Sequence, residues 1–299
     1  MNRVEFVFWA IDVFADRLQN YFHIDGIKKI SDFPYGEDER EKADFYYKEG
    51  LENMPVLINV HGGGFVKGGK EHRRSLSEAY AEKGFFVINI SYRLCPKNPF
   101  PAIIEDAILI LNKLEEIGKT YPLDIDKVVL TGDSSGAYAS VLATAALYDG
   151  GLGKRLGLPE CKIRPSAVAA FSGLYNIRAV LDKKFPFRFS RVLAESFTGE
   201  KLGKKLAGLE NYKFLKEISP VDYVNSNWPP VFVSYSKKDI FVAGQGELFI
   251  EKLKEKGVPY EEAHSEKIYE NHCYHLFNFK AARETMGKTF EFLDKVKNA

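Results

Sequence analysis

Cysteine is scarce. The chain holds three, Cys95, Cys161 and Cys273, an odd and small set that argues against a disulfide framework and leads us to expect a reducing, cytoplasmic setting. Surplus charge of either sign is also missing: 42 basic against 41 acidic residues leave +1, which offers nucleic acid no electrostatic footprint. No apolar run is long enough to span a membrane. The nearest, Val4 to Ile11, is broken by Glu5 and followed by Asp12 and Asp16 without a small-residue cleavage site, so neither a signal nor an anchor is expected. Metal-ligand spacings are lacking too: the six histidines form no H-E-x-x-H or Cys/His set. Gly62-Gly63-Gly64 is not followed by Lys-Ser/Thr, which excludes a phosphate-binding P-loop. Gly151 to Gly157 has the wrong glycine spacing for a dinucleotide fingerprint and reads as a helix-ending loop. Asn89-Ile90-Ser91 is a glycosylation sequon inside an expected core strand, where it is unusable. Neither repeats nor low-complexity linkers occur. No metal and no cofactor are implied.

What is present is an ordinary globular core: 45% hydrophobic and 28% charged residues. Val7, Ile11, Phe14, Leu18 and Tyr21 recur at helical spacing, while Phe6, Phe8, Trp9 and Val13 lie off that stripe. Such a helix, apolar on more than one face, covers something: a substrate cavity, or a second copy of the chain in a homodimer. Further on, short apolar runs (Pro55–Val60, Phe85–Ile90, around Val128, Ala167–Phe171, Val231–Tyr235, a weaker Tyr260–His264) alternate with helical stretches near 71–83, 102–117, 137–147 and 278–296. That alternation predicts an α/β fold, a mostly parallel sheet with helices on both faces. Leu174 to Asn227 interrupts it with aromatics (Phe185, Phe187, Phe189, Phe197, Tyr212, Phe214) and lysines (Lys183, Lys184, Lys201, Lys204, Lys205); long insertions of this kind are more often functional than idle. We expect one domain over 1–299 with a helical cap from about 1–40 and 174–227.

The chain is organised around Lys127 to Gly136. A β-branched run stops at Gly132-Asp133-Ser134-Ser135-Gly136, a G-x-S-x-G pattern followed by a small-residue helix. In strand–turn–helix context this pattern lifts a serine hydroxyl above the sheet and aims a helix N-terminus at the reacting centre. His61-Gly62-Gly63-Gly64-Phe65, directly after an expected strand, exposes backbone N–H groups that can hydrogen-bond an oxyanion. A serine nucleophile in such a sheet takes its acid and its histidine downstream, in that order. Asp239 follows the Val231 strand. Two histidines, His272 and His275, precede the last helix, and His272 is the rival of His275 for the role of base.

Those residues bring a family into view. The chain resembles α/β-hydrolases of the hormone-sensitive-lipase type, which include microbial carboxylesterases and acetyl esterases. Ser91-Tyr92-Arg93-Leu94-Cys95-Pro96 with Phe100-Pro101-Ala102, Ser219-Pro220-Val221-Asp222 and Pro229-Pro230-Val231 resemble further segments of that family. The resemblance implies the α/β-hydrolase fold, Ser134 as nucleophile, Asp239 as orienting acid and His275 as base, set against the family's H-G-F as His275-Leu276-Phe277. It implies an oxyanion hole from the N–H groups of Gly63, Gly64 and Ser135, with His61 shaping the loop. The implied activity is hydrolysis of short-chain carboxylic esters of small molecules through an acyl-enzyme. The same machinery serves carbohydrate O-acetyl or hydroxycinnamoyl esters, and a relative that has lost the histidine binds ligands without catalysis. Three departures stand out: Ser135 where alanine is usual, an acid motif lacking its first aspartate, and a bulky Leu276.

Overall fold

In the computed structural model the described residues are 5–6, 16–181 and 189–299. The readings made for Val7, Phe8, Trp9, Ile11, Val13 and Phe14, and for Lys183, Lys184, Phe185 and Phe187, lie outside them. Among these residues eight strands form one sheet: β1 (Ile27–Pro34), β2 (Lys42–Lys48), β3 (Met54–Val60), β4 (Phe86–Ile90), β5 (Leu123–Asp133), β6 (Ala167–Phe171), β7 (Val231–Ser236) and β8 (Tyr260–Ser265). Their order is β1-β2-β4-β3-β5-β6-β7-β8. The β1–β2 and β2–β4 pairs are antiparallel and the rest are parallel.

Strands β3, β4, β6 and β7 are buried along their whole length because both faces are covered. Val56, Ile58 and Val60 of β3 enter one core, whereas Leu57 enters a second with Val87, Val129, Phe232 and Phe292. The two asparagines in these buried strands answer each other: Asn59 and Asn89 are register partners, and Asn59 Nδ2 donates to Asn89 Oδ1 (3.2 Å). An unpaired amide there would forfeit its hydration with no return.

Helices α1 (Arg74–Glu82), α2 (Ala102–Asn112), α3 (Ser135–Tyr148), α5 (Gln245–Lys256) and α6 (Lys280–Asn298) flank the sheet, and α4 (Phe189–Thr198) belongs to the 174–227 insertion. A 3₁₀ turn, Lys70–Arg73, leads into α1. Helix α3 is buried on all sides from Ser135 to Ala145, and its alanines let it lie close to β5 and β3. Gly151 to Gly157 is a short helix, Leu152–Leu156, closed by Gly157 in the left-handed region (φ 69°), rather than a loop.

The expected cap boundary needs one correction. Residues 27–34 of the 1–40 stretch form the edge strand β1, whose mostly exposed residues hid its pairing. The 174–227 segment carries no strand among its described residues. Its helix α4 sets Phe197 against Phe65 (ring centroids 4.9 Å) and Phe100 (5.1 Å), which ties the insertion to the glycine loop. No helix among the described residues is long and apolar enough to cross a membrane.

Candidate active site

The turn from β5 into α3 requires both of its glycines. A β-carbon on Gly132 would lie 2.5 Å from the Val60 carbonyl oxygen, and one on Gly136 would overlap that same oxygen. Between them Ser134 sits at φ 52°, ψ −117°, a conformation that L-residues avoid and that is held here by the close packing of the glycines on either side of it. Its side chain meets an imidazole. In the tautomer with Nδ1 protonated, His272 donates to Asp239 Oδ2 (2.8 Å) and its Nε2 accepts from the Ser134 hydroxyl (2.9 Å).

Asp239 is fixed as well as charged. Its Oδ1 accepts from the N–H groups of Phe241 (2.8 Å) and Val242 (2.9 Å). Burial alone would raise its pKa, but His272 and those N–H groups outweigh burial and lower it. Burial likewise pulls His272 down, and the Asp239 carboxylate more than reverses this, so the imidazole titrates well above the ordinary histidine value. Asn271 clamps the two loops: its Oδ1 accepts from the N–H groups of Ile240 and His272, and its Nδ2 donates to Lys238 O (2.7 Å).

His275 is therefore not the residue beside Ser134. Cys273 adopts the left-handed region (φ 54°, ψ 35°) and turns the chain inward through the 3₁₀ turn Tyr274–Leu276. His275 ends up 4% exposed, stacked on Phe171 (centroids 4.2 Å, 21°), with no hydrogen-bond partner among the described residues on either ring nitrogen. Burial pushes its pKa down to about 3. The motif register is three residues earlier than expected: His272-Cys273-Tyr274 stands where H-G-F was sought. Cysteine occupies a backbone conformation that glycine adopts freely. Tyr274 is the anchor, its hydroxyl within hydrogen-bond reach of Thr285 Oγ1 (2.7 Å) and Ser234 Oγ (3.3 Å).

The glycine loop lies beside Ser134, with Gly63 at φ 135° and Gly64 at φ 59°. Ser135 opens α3, so its N–H belongs to the first turn, where helical donors lack intrahelical partners. Its side chain points elsewhere: fully buried, it meets the Tyr92 hydroxyl (3.2 Å). His61 is stacked on Tyr92 (4.2 Å), and its Nδ1–H donates to Gly62 O (2.6 Å). Burial holds its pKa well below the usual value, which fits a ring that shapes the loop.

Two cavities meet at Ser134 and His272. One, of about 320 Å³, is lined by Gly63, Arg73, Phe241, Tyr269, Phe277 and Phe279 among others. The other, of about 30 Å³, is lined by Gly64, Phe65, Leu174, Val180, Leu193 and Val242 among others.

A mostly parallel eight-stranded sheet, wrapped on both faces and carrying a serine on a strained strand-to-helix turn, defines an α/β-hydrolase. Esterase B from Lactobacillus rhamnosis shares this fold, with a TM-score of 0.82 over 98% of this chain and 95% of that one at 19% identity. The esterase from Pyrobaculum calidifontis does so at a TM-score of 0.77 and 19% identity, over 100% of this chain and 94% of that one. The BD-FAE family profile matches residues 43–253, and the chain belongs to that family, within the α/β-hydrolases of the hormone-sensitive-lipase type. Esterase LipQ from Mycobacterium tuberculosis is 29% identical over 254 residues, 80% of this chain and 57% of that protein. LipM from the same organism is 26% identical over 271 residues, 89% of this chain and 61% of that protein. The chain thus spans about three fifths of the length of these two relatives.

Proposed function

We propose that the chain is a serine carboxylesterase that hydrolyses short-chain carboxylic esters through an acyl-enzyme. The observation that carries this reading is the hydrogen-bonded line Ser134–His272–Asp239. Ser134 Oγ attacks the ester carbonyl while His272 Nε2 takes its proton, and Asp239 stabilises the imidazolium. The N–H groups of Gly63, Gly64 and Ser135 hold the tetrahedral oxyanion. His272 then protonates the leaving alcohol, water enters, and the sequence runs back to release the acid. The 30 Å³ cavity supports a short acyl group, since Phe65, Leu174 and Leu193 line and narrow it. The esterase named among the relatives supports the reaction class. A histidine seated between acid and serine speaks against a binding-only role.

The test is hydrolysis of p-nitrophenyl acetate by the full chain and by Ser134→Ala. Removal of one oxyanion donor in such sites lowers kcat by ~10²–10³, and loss of the nucleophile should do at least as much with folding intact. Retention of wild-type kcat by Ser134→Ala would sink the assignment.

A further inference from the structure

The residue before the nucleophile does something the triad does not require. Asp133 is buried, and its carboxylate is gripped by Arg73 through two bonds, Nε to Oδ1 and Nη2 to Oδ2, each 2.7 Å. Arg73 is also buried and comes from the 3₁₀ turn ahead of α1. Oδ2 is where the three functional loops converge. The Cys273 thiol, next to His272, donates to it at 3.6 Å. Gly62, at the base of the glycine loop, packs on it so closely that a β-carbon there would overlap it. Asp133 itself adjoins Ser134. On the far side, Arg73 Nη1 donates to Gln19 Oε1 (2.7 Å) and His72 O (2.9 Å), which brings residues ahead of the sheet into the same network.

A two-point fork fixes the carboxylate in orientation as well as in place, which one hydrogen bond or a lysine ammonium does not. Burial alone would raise the Asp133 pKa, and Arg73 reverses this and holds it at about 2, so the carboxylate stays ionised wherever the esterase reading requires a neutral base.

We infer that Arg73 and Asp133, steadied by Gln19, are positioning residues that hold the nucleophile turn, the glycine loop and the histidine loop in register at Asp133 Oδ2. This rests on the proposed triad. Neither Arg73 nor Asp133 is assigned a proton transfer. The fork's contribution is alignment, and misplacement by about 1 Å in such sites costs ~10²-fold in rate.

The experiment compares Arg73→Lys, Gln19→Leu and the double variant Arg73→Met/Asp133→Leu with the wild-type full chain. Three quantities are read: Tm, kcat and KM on p-nitrophenyl acetate, and titration of reactive Ser134 with a p-nitrophenyl phosphonate to count competent sites. Replacing a buried ion pair by apolar groups of similar volume is often neutral or stabilising, so the double variant should keep its Tm. We expect kcat per titrated site to fall ~10²-fold in Arg73→Lys and in the double variant, and less in Gln19→Leu, with KM little changed. A merely structural role would lower Tm and leave kcat per site at the wild-type value. Wild-type kcat per site in a folded double variant overturns the inference; should that variant not fold, wild-type kcat in both Arg73→Lys and Gln19→Leu overturns it equally. Ser134→Ala and His272→Ala run alongside. Activity in those two sinks the triad reading, whereas their silence beside unimpaired Arg73 variants sinks only the positioning role.

Discussion

Replacement of His275 by phenylalanine separates the two histidines and has a magnitude that follows from burial. The imidazole lies flat on Phe171 with both nitrogens unpartnered among the described residues and a folded-state pKa of about 3. In the unfolded chain it titrates near 6.5. At pH 5 the unfolded state therefore binds a proton that the folded state refuses, and stability falls as pH falls. The stabilisation by a neutral His275 is fully present above pH 6.5 and is withdrawn between 6.5 and about 3. From pH 7 to 5 the loss is ~2 kcal/mol, at 1.36 kcal/mol per pH unit once the unfolded histidine is protonated. A phenyl ring has no proton to bind and leaves no buried nitrogen unsatisfied, which is itself worth ~1–3 kcal/mol. Urea unfolding of wild type and His275→Phe at pH 7 and pH 5 reads both effects. The variant should be at least as stable at pH 7, and its loss on acidification should be smaller by ~2 kcal/mol. Esterase turnover should stay within several-fold of wild type, while His272→Ala abolishes it. Parallel acid losses in the two proteins, or a dead His275→Phe beside an active His272→Ala, would refute the reasoning.

Three further outcomes are expected. Because Asp239 outweighs burial and raises the His272 pKa, the acid limb of kcat/KM should lie above the ordinary histidine value of about 6.5; Asp239→Asn should move it down and lower kcat by ~10⁴, and a wild-type limb below that value contradicts the assignment. Gly136→Ala should give no folded protein, since its β-carbon would meet the Val60 carbonyl, whereas Gly287→Ala in α6, with no atom of the described residues outside its own helix backbone within 4 Å of the new carbon, should gain ~0.5–1 kcal/mol; denaturant midpoints decide. Acetyl to butyryl esters should be preferred, Leu193→Ala should shift kcat/KM toward longer acyl chains by opening the smaller cavity, and Ser135→Ala should leave the acyl profile unaltered because its hydroxyl faces Tyr92. A steady climb of wild-type kcat/KM to long chains would contradict the first of these acyl predictions.

The buried strands were readable because burial on both faces leaves an unbroken apolar run, and the serine turn because two glycines and a strand–helix context are local. Strand β1 fell inside the expected cap for the opposite reason: an edge strand can carry Lys28, Lys29, Ser31 and Asp32 outward, which disguises its pairing and protects the sheet edge. The histidine was misread by three positions because its identifying signal is conformational. The left-handed residue after it is cysteine rather than glycine, while His275-Leu276-Phe277 imitates the motif in letters alone. The Arg73–Asp133 fork joins residues 60 apart, and nothing near either one announces the other.

Under the proposed mechanism, the backbone of Ser134 sets activity against stability at a single residue. Its φ of 52° and ψ of −117° lie close to the first central position of a type II′ turn, where glycine is at ease. Strain of this sort is of order 1–3 kcal/mol, and glycine's greater freedom in the unfolded chain offsets about 0.5–1 kcal/mol of any relief. Ser134→Gly should therefore be inert yet melt at or above the wild-type temperature, while Ser134→Ala, which keeps its β-carbon, should not.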